Sequence, residues 1–132
     1  RRKYNDLEWS TEEKEESIID PTILLTFRYD YPESKSTVVI DTDEFTAVCP
    51  WTHLPDFGSL LITYVPSDLC LELKSLKLYL QGFRNIGIFH EDVTNKIIDD
   101  FRQACRPRNI DVVGRFNPRG GISTVVESHW SE

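Results

Sequence analysis

The sequence predicts an α+β fold in which an antiparallel sheet packs two helices on one face. Apolar residues alternate in the first half of the chain, two middle segments have helical periodicity, and alternation returns near the end. The order is strands, two helices, strands, without a repeat or linker. A sheet of about four strands leaves two open edges, which self-association would cover.

The N-terminal segment differs in composition from the rest. Residues 1–20 are mostly charged, with isolated apolar side chains that cannot bury much surface. We predict a mobile tail or loosely docked arm there. The remaining residues, 21–132, are predicted to form a single domain, since a 132-residue chain has the length of one.

Three strands are predicted before the helices. The first spans 22–30, where one side comprises Ile23, Leu25, Phe27 and Tyr29. The second spans the β-branched residues 36–41, and the third spans 58–66 with Leu60, Ile62 and Tyr64 on one side. The last two are expected to form a hairpin-like pair whose irregular connection runs from Cys49 to Asp56.

After the third strand, the apolar residues are spaced as in helices. One apolar stripe comprises Leu73, Leu76, Leu80 and Phe83, and Gly87 is expected to end this helix. A second helix over 90–105 is predicted from Val93, Ile97, Ile98, Phe101 and Cys105, and Pro107 stops it. Two final strands, 109–116 and 121–130, flank the turn-forming residues NPRGG.

Charge and cysteine usage exclude some functions. A net charge of −7 argues against non-specific binding to nucleic acid or an anionic membrane, which requires a cationic surface. The three cysteines are an odd number, widely spaced, and no apolar leader or membrane-length run is present. We therefore expect a cytoplasmic protein with free thiols.

The first candidate for chemistry is the loop CPWTHLPD. Cys49 lies directly before a proline, where the apolar pattern breaks, and Asp56 follows within the same loop. A loop thiol is accessible, and its thiolate is a nucleophile if a cation, base or helix N-terminus lies nearby. The plain alternative is a loop cysteine beside a turn aspartate.

The second candidate is FHED, residues 89–92, at the predicted start of the second helix. Acidic residues in a first turn are explained by the helix dipole alone. Glu91 could also accept two parallel N–H donors, such as those of a guanine-like base, and His90 could transfer protons.

The third candidate is a cationic ridge on the first helix, formed by Lys74, Lys77, Gln81 and Arg84. Such a ridge is usually a solvated face, but together with Arg119 it could hold phosphates. Neither a GxGxxG motif after a strand nor a Walker loop is present, so a nucleotide site would be of a non-Rossmann type.

Four ordered motifs resemble the NADPH-dependent 7-cyano-7-deazaguanine reductases, the nitrile reductases of queuosine biosynthesis. ELKSLKLY at 72–79 fits the eight-position family signature, which reads in order: Glu; Ser or Leu; Lys; Ser or Ala; a hydrophobic residue; Lys; Leu or Tyr; an aromatic residue. CPxTxxPDF at 49–57, FRNxGxFHED at 83–92 and PRGGIS at 118–123 accompany it. The resemblance covers about Phe45 to Ile122.

The resemblance implies a tunnelling fold, in which several subunits close an oligomeric barrel of stacked rings and form active sites between neighbours. It implies 7-cyano-7-deazaguanine as substrate, NADPH as cofactor and no metal. Cys49 matches the nucleophile that forms a covalent thioimide. Asp56 matches the acid–base group beside it, and His90 a second proton-handling residue.

The resemblance also implies binding roles. Glu91 matches the carboxylate that holds the deazaguanine ring, and Phe89, Glu72 and Ser75 are predicted to contact substrate with it. The positions associated with the NADPH phosphates are matched by Lys74, Lys77 and Arg119.

Two positions depart from the family pattern. Val93 stands where some relatives have a second cysteine able to pair protectively with the nucleophile, so such protection is expected to be absent or to use another cysteine. His53 stands in the loop where glycine or a small polar residue is expected.

Three other functions stay open. A related zinc cyclohydrolase could use Cys49, His53 and His90 as ligands. An amidine-forming relative would act on the nitrile in transfer RNA, for which an acidic chain is poorly suited. A non-catalytic deazapurine-binding or assembly protein could recognise the base through Glu91, with Cys49 incidental.

Overall fold

The protein is described here by a computed structural model covering residues 16–132. Its main sheet has four antiparallel strands: β2 (Val38–Val48), β3 (Pro55–Val65), β5 (Asn109–Arg119) and β6 (Ile122–Ser131). They lie side by side in that order. The predicted α+β class with an antiparallel sheet is confirmed.

One face of this sheet forms the core. Leu60, Ile62 and Tyr64 of β3 are buried, as their alternation predicts, and on β5 they pair with Gly114, Val112 and Ile110. Both helices pack on this face of the sheet. The opposite face is partly exposed.

The β2–β3 hairpin is longer than predicted. β2 continues to Val48 and β3 begins at Pro55, so the connection comprises only residues 49–54. The prediction of an irregular connection reaching Asp56 was wrong because β3 already begins at Pro55, and a proline is tolerated as the first residue of a strand. The predicted second strand ended too early, at residue 41, because the pairing register shifts between Thr42 and Phe45. This bulge interrupts the period of two, although Phe45 and Ala47 beyond it are buried.

Helix α1 spans Leu73–Gln81, and helix α2 spans His90–Cys105 as predicted. α1 ends before Gly82, whose N–H donates to the Leu78 carbonyl, and not at Gly87. Neither described helix is long and apolar enough to cross a membrane.

A buried polar contact joins the two helices. The Tyr79 hydroxyl donates to Asp100 Oδ2 at 2.5 Å, and Lys96 Nζ lies 3.1 Å from the same carboxylate. Burial, reinforced by the charge of Asp100, raises the pKa of Tyr79, so the phenol keeps its proton and remains a donor. This contact fixes α1 relative to α2.

The N-terminal region departs most from prediction. The predicted strand 22–30 is reduced to β1, Thr26–Arg28, which pairs with β4, Leu69–Leu71, in a separate two-stranded sheet. The predicted buried side of that strand was wrong, because Leu24 is buried whereas the side chains of Ile23, Leu25 and Phe27 are exposed.

The predicted tail over 1–20 lies largely outside the described residues. Of its last five residues, Glu16–Ile18 form a 3-10 turn, and Ile19 belongs to the hydrophobic core. The Asp20 side chain caps the next 3-10 turn, Pro21–Ile23, by accepting from the Thr22 N–H.

Candidate active site

Backbone pairing brings two distant motifs together at the end of β2. The Val48 N–H donates to the Ile86 carbonyl, and the Ile88 N–H donates to the Val48 carbonyl, each at 3.0 Å. These bonds form a parallel bridge between Val48 and Gly87. They place the loop that begins at Cys49 beside the segment that leads into α2.

The Cys49 loop is closed by its own backbone. The Cys49 N–H donates to the Leu54 carbonyl and the His53 N–H donates to the Cys49 carbonyl, both at 2.9 Å. His53 has φ of 62°, in the left-handed region that favours glycine. This explains why a glycine or small residue is expected there. The Cys49 side chain is half-buried.

Asp56 is a buried carboxylate with two cationic or potentially cationic neighbours. It is the second residue of β3 and is only 7% exposed. Its Oδ2 lies 3.2 Å from His90 Nε2, and its Oδ1 accepts a hydrogen bond from Arg119 Nη1 at 3.0 Å. The Thr46 hydroxyl donates to the Asp56 carbonyl at 2.8 Å. The structure therefore brings Asp56 and His90 together.

The imidazole of His90 has a fixed plane. It stacks on the ring of Phe116, with ring centroids 3.9 Å apart and an interplanar angle of 3°. Gly114 leaves room for the Phe116 ring, because a Cβ at residue 114 would lie 2.9 Å from that ring. Phe116 was not identified as a site residue from sequence, since as a buried strand residue it has the same pattern as any core residue.

Glu91 and Phe89 flank His90 at the N-terminus of α2. Glu91 is exposed in the first helical turn, where the helix dipole favours its negative charge. Phe89 occupies the N-cap position and is half-buried. Both are the chain neighbours of His90, and their contact with a substrate stays a prediction.

Glu72 and Ser75 cap helix α1. The Glu72 carboxylate accepts from the N–H groups of Lys74 and Ser75, and these bonds, that of Lys74 first, lower the pKa of Glu72. The buried Ser75 hydroxyl donates to the Glu72 carbonyl and accepts from the Leu25 N–H. Both side chains have structural partners, and their contact with substrate stays a prediction.

A groove of about 630 Å³ runs between α1 and β2. Its apolar lining comprises Ile40, Phe45, Leu73, Leu76 and Leu80, and its polar lining Thr42, Glu44, Thr46, Lys77, Gln81 and Arg84. Its size is that of a ligand site, and its cations suit phosphate groups.

The predicted phosphate contacts do not gather in this groove within one chain. Lys77 lines it, whereas the exposed Lys74 is not among its lining residues, and Arg119 contacts Asp56. The groove nevertheless approaches the Asp56 cluster, because Thr46 lines it and also donates to the Asp56 carbonyl.

The other two cysteines are poorly suited to nucleophilic chemistry. Cys105 is 1% exposed, and burial raises its pKa to about 12. Burial also raises the pKa of Cys70, against the opposing effect of a hydrogen bond from Tyr64. Both thiols therefore stay protonated at neutral pH, unlike the form a nucleophile needs. Within residues 16–132, no group of three or more His, Cys, Asp or Glu side chains is arranged to hold a metal.

Comparison with known proteins supplies a second line of evidence. The family model described as "QueF-like protein" matches residues 55–132. A protein of Chlorobium phaeovibrioides is 50% identical over 111 residues, which cover 83% of this chain and 96% of that protein. One from Thermoanaerobacter pseudethanolicus is 41% identical over 130 residues, covering 98% and 96% respectively. Each is named NADPH-dependent 7-cyano-7-deazaguanine reductase.

A solved structure resembles the fold. The crystal structure of the archaeosine synthase QueF-Like in the apo form superposes with a TM-score of 0.68 and 22% sequence identity. The match covers 74% of this chain and 95% of that one. This likeness supports the tunnelling fold predicted from sequence.

Proposed function

The chain belongs to the QueF-like family, and from this premise we propose that it is an NADPH-dependent nitrile reductase. Its substrate would be 7-cyano-7-deazaguanine and its product 7-aminomethyl-7-deazaguanine, in the biosynthesis of queuosine. The names of its relatives support the reaction. The structural observation that most supports it is the pairing of the buried Asp56 with the half-buried His90 beside the Cys49 loop.

The first step would be addition of the Cys49 thiol across the nitrile. A carbon–sulfur bond forms, one carbon–nitrogen π bond breaks, and the thiol proton passes to the nitrogen to give a thioimide. Such covalent addition divides one difficult reduction into easier steps. Asp56 and His90 are the groups available to transfer that proton.

Reduction of a nitrile to a primary amine takes four electrons. When bound, NADPH supplies a hydride to the carbon, and two molecules are needed in succession. One proton accompanies each hydride, which again calls for Asp56 or His90 within hydrogen-bond reach of the substrate nitrogen. Cys49 leaves as a thiol after the first reduction, and burial of the site would keep the resulting imine from water.

The α1–β2 groove fits the charge of the cofactor. Lys77 and Arg84 supply cations along a groove with an apolar floor, which suits phosphates joined to flat rings. We propose that Lys77 holds phosphates there, and that Lys74, exposed on the same helix outside the groove lining, contacts them from outside the groove.

Glu91 would orient the substrate ring by accepting two N–H groups. We expect Glu91→Gln to raise the Kd of the nitrile about 10- to 150-fold, since hydrogen bonds to a charged group contribute roughly 1.5–3 kcal/mol. Calorimetric titration in a Cys49→Ala background would measure this without the covalent step. Asp99→Asn, an exposed position of the same helix, is the matched control. Equal affinities of both variants would remove Glu91 from ring recognition.

We also propose a homo-oligomer of stacked rings with sites between subunits, located in the cytoplasm. In the four-stranded sheet, β2 and β6 form the two edges, and edge strands present free backbone groups to a neighbour. Exposed apolar side chains on the sheet, including Val39, Phe57 and Val125, support such contacts. All three cysteines are free, which is consistent with a reducing compartment.

The stoichiometry of NADPH oxidation tests the proposed function. Nicotinamide absorbance followed with limiting 7-cyano-7-deazaguanine should fall by about two equivalents per nitrile, because two hydrides are required. No NADPH consumption would contradict a reductase. Activity that requires stoichiometric zinc would then favour a cyclohydrolase. Formation of an amidine from ammonia would favour the transfer-RNA relative. Binding of the nitrile without turnover would favour a deazapurine-binding protein.

A further inference from the structure

We propose that Arg119 is a positioning residue of the nitrile reduction, acting through the Asp56 carboxylate. This inference rests on the proposed function and deepens it, because the resemblance implied only a phosphate contact for Arg119. Its Nη1 donates to the Pro55 carbonyl at 2.8 Å and to Asp56 Oδ1 at 3.0 Å. One guanidinium nitrogen thus holds both the backbone and the carboxylate at the start of β3.

This anchor determines where the second carboxylate oxygen points. The terminal torsion of an aspartate is broad, so an unanchored carboxylate samples many orientations. With Oδ1 held by Arg119, Oδ2 lies 3.2 Å from His90 Nε2. Arg119 therefore keeps the two proton-handling groups facing each other.

Burial makes the anchor necessary. A charged group removed from water requires a charged or hydrogen-bonding partner, and Asp56 is 7% exposed. Arg119 has a side chain that is 35% exposed, so its cation stays partly solvated while its Nη1 reaches the buried carboxylate. A charge-assisted bond is stronger than a neutral one.

The β5–β6 hairpin is built to hold this arginine in place. Arg119 pairs with Ile122 across a two-residue turn, and Gly120 and Gly121 have φ of 60° and 79°. A turn with two left-handed residues matches the twist of the strands and favours glycine at both positions. The same strand supplies Phe116, which stacks on His90. One hairpin therefore orients both partners of the Asp56–His90 pair.

Arg119→Gln separates this role from phosphate binding. The readout is the rate at which the nitrile forms its covalent adduct with the protein when NADPH is omitted, followed by intact mass. We expect adduct formation to slow about 100-fold, which is the lower end of the rate contribution of a positioned proton-transfer group. The KM for NADPH should stay within about twofold of wild type, and added guanidinium should restore part of the rate.

The control is Arg115→Gln, an exposed arginine of the same strand, whose adduct rate should match wild type. If Arg119→Gln does not fold, Arg119→Lys is the second variant: it keeps a cation for phosphates but loses the planar guanidinium that holds Asp56 Oδ1, so adduct formation should still slow while the KM for NADPH stays near wild type. An unchanged adduct rate with a raised KM for NADPH would overturn the positioning role and favour phosphate binding. If wild type forms no adduct and oxidises no NADPH, the proposed function itself fails, which is a distinguishable result.

Discussion

Cys49→Ala is expected to abolish NADPH oxidation with 7-cyano-7-deazaguanine, lowering kcat by about 10⁴-fold or more. Removal of a covalent nucleophile causes losses of this size in enzymes whose catalytic groups act as a unit. Alanine keeps the Cβ of the side chain, and the loop is closed by the backbone of residue 49, so the fold should be unaffected. Initial rates with saturating NADPH and nitrile would measure the effect.

Cys70→Ala is the matched control for this experiment. It removes a thiol of the same chain at a buried position away from the Asp56 cluster, in the short strand β4. We expect its kcat to stay near that of wild type, with a somewhat lower melting temperature from the lost packing. A rate for Cys49→Ala similar to that of Cys70→Ala would mean that the thiol at residue 49 is not the nucleophile.

Asp56→Asn is expected to lower kcat about 10²- to 10⁴-fold, the range for general acid–base catalysis. Asparagine has the same shape but cannot exchange protons with His90 or the nitrogen of the substrate. It also lacks the charge that Arg119 Nη1 contacts at 3.0 Å. Steady-state kinetics would give the change in kcat.

Thermal unfolding must accompany that measurement, because Asp56 is buried between two partners. Breaking a buried ion pair destabilises a protein, so a lower melting temperature is expected. Asp68→Asn, at an exposed aspartate between β3 and β4, should change neither quantity. A folded Asp56→Asn protein with wild-type kcat would assign proton transfer to His90 alone.

The parts of the fold that sequence predicted best are those with an uninterrupted period. Helix α2 was predicted with its observed bounds, and the alternating residues of β3 and β5 are buried as expected. Prediction was wrong where a local irregularity resets the period, as at the bulge between Thr42 and Phe45. The short strand β4 was missed because three residues give no period to detect.

For the site, the sequence predicted individual residues but not the contacts around them. The sequence identified Asp56 and His90, and the structure brings them together. Their surroundings could not be predicted, because Arg119 meets Asp56 across 63 positions of sequence, and Phe116 reaches His90 from a different strand. Such contacts depend on sheet register and hairpin geometry, which residue types alone do not specify.

The central claim is that the sulfur of Cys49 bonds to the nitrile carbon. It is tested most directly by intact and peptide mass spectrometry of wild-type protein incubated with 7-cyano-7-deazaguanine and no NADPH. We predict that each chain gains the mass of one substrate molecule, on the peptide that contains Cys49, and that NADPH then removes it. An unmodified Cys49 peptide in protein that still reduces the nitrile would contradict the covalent mechanism.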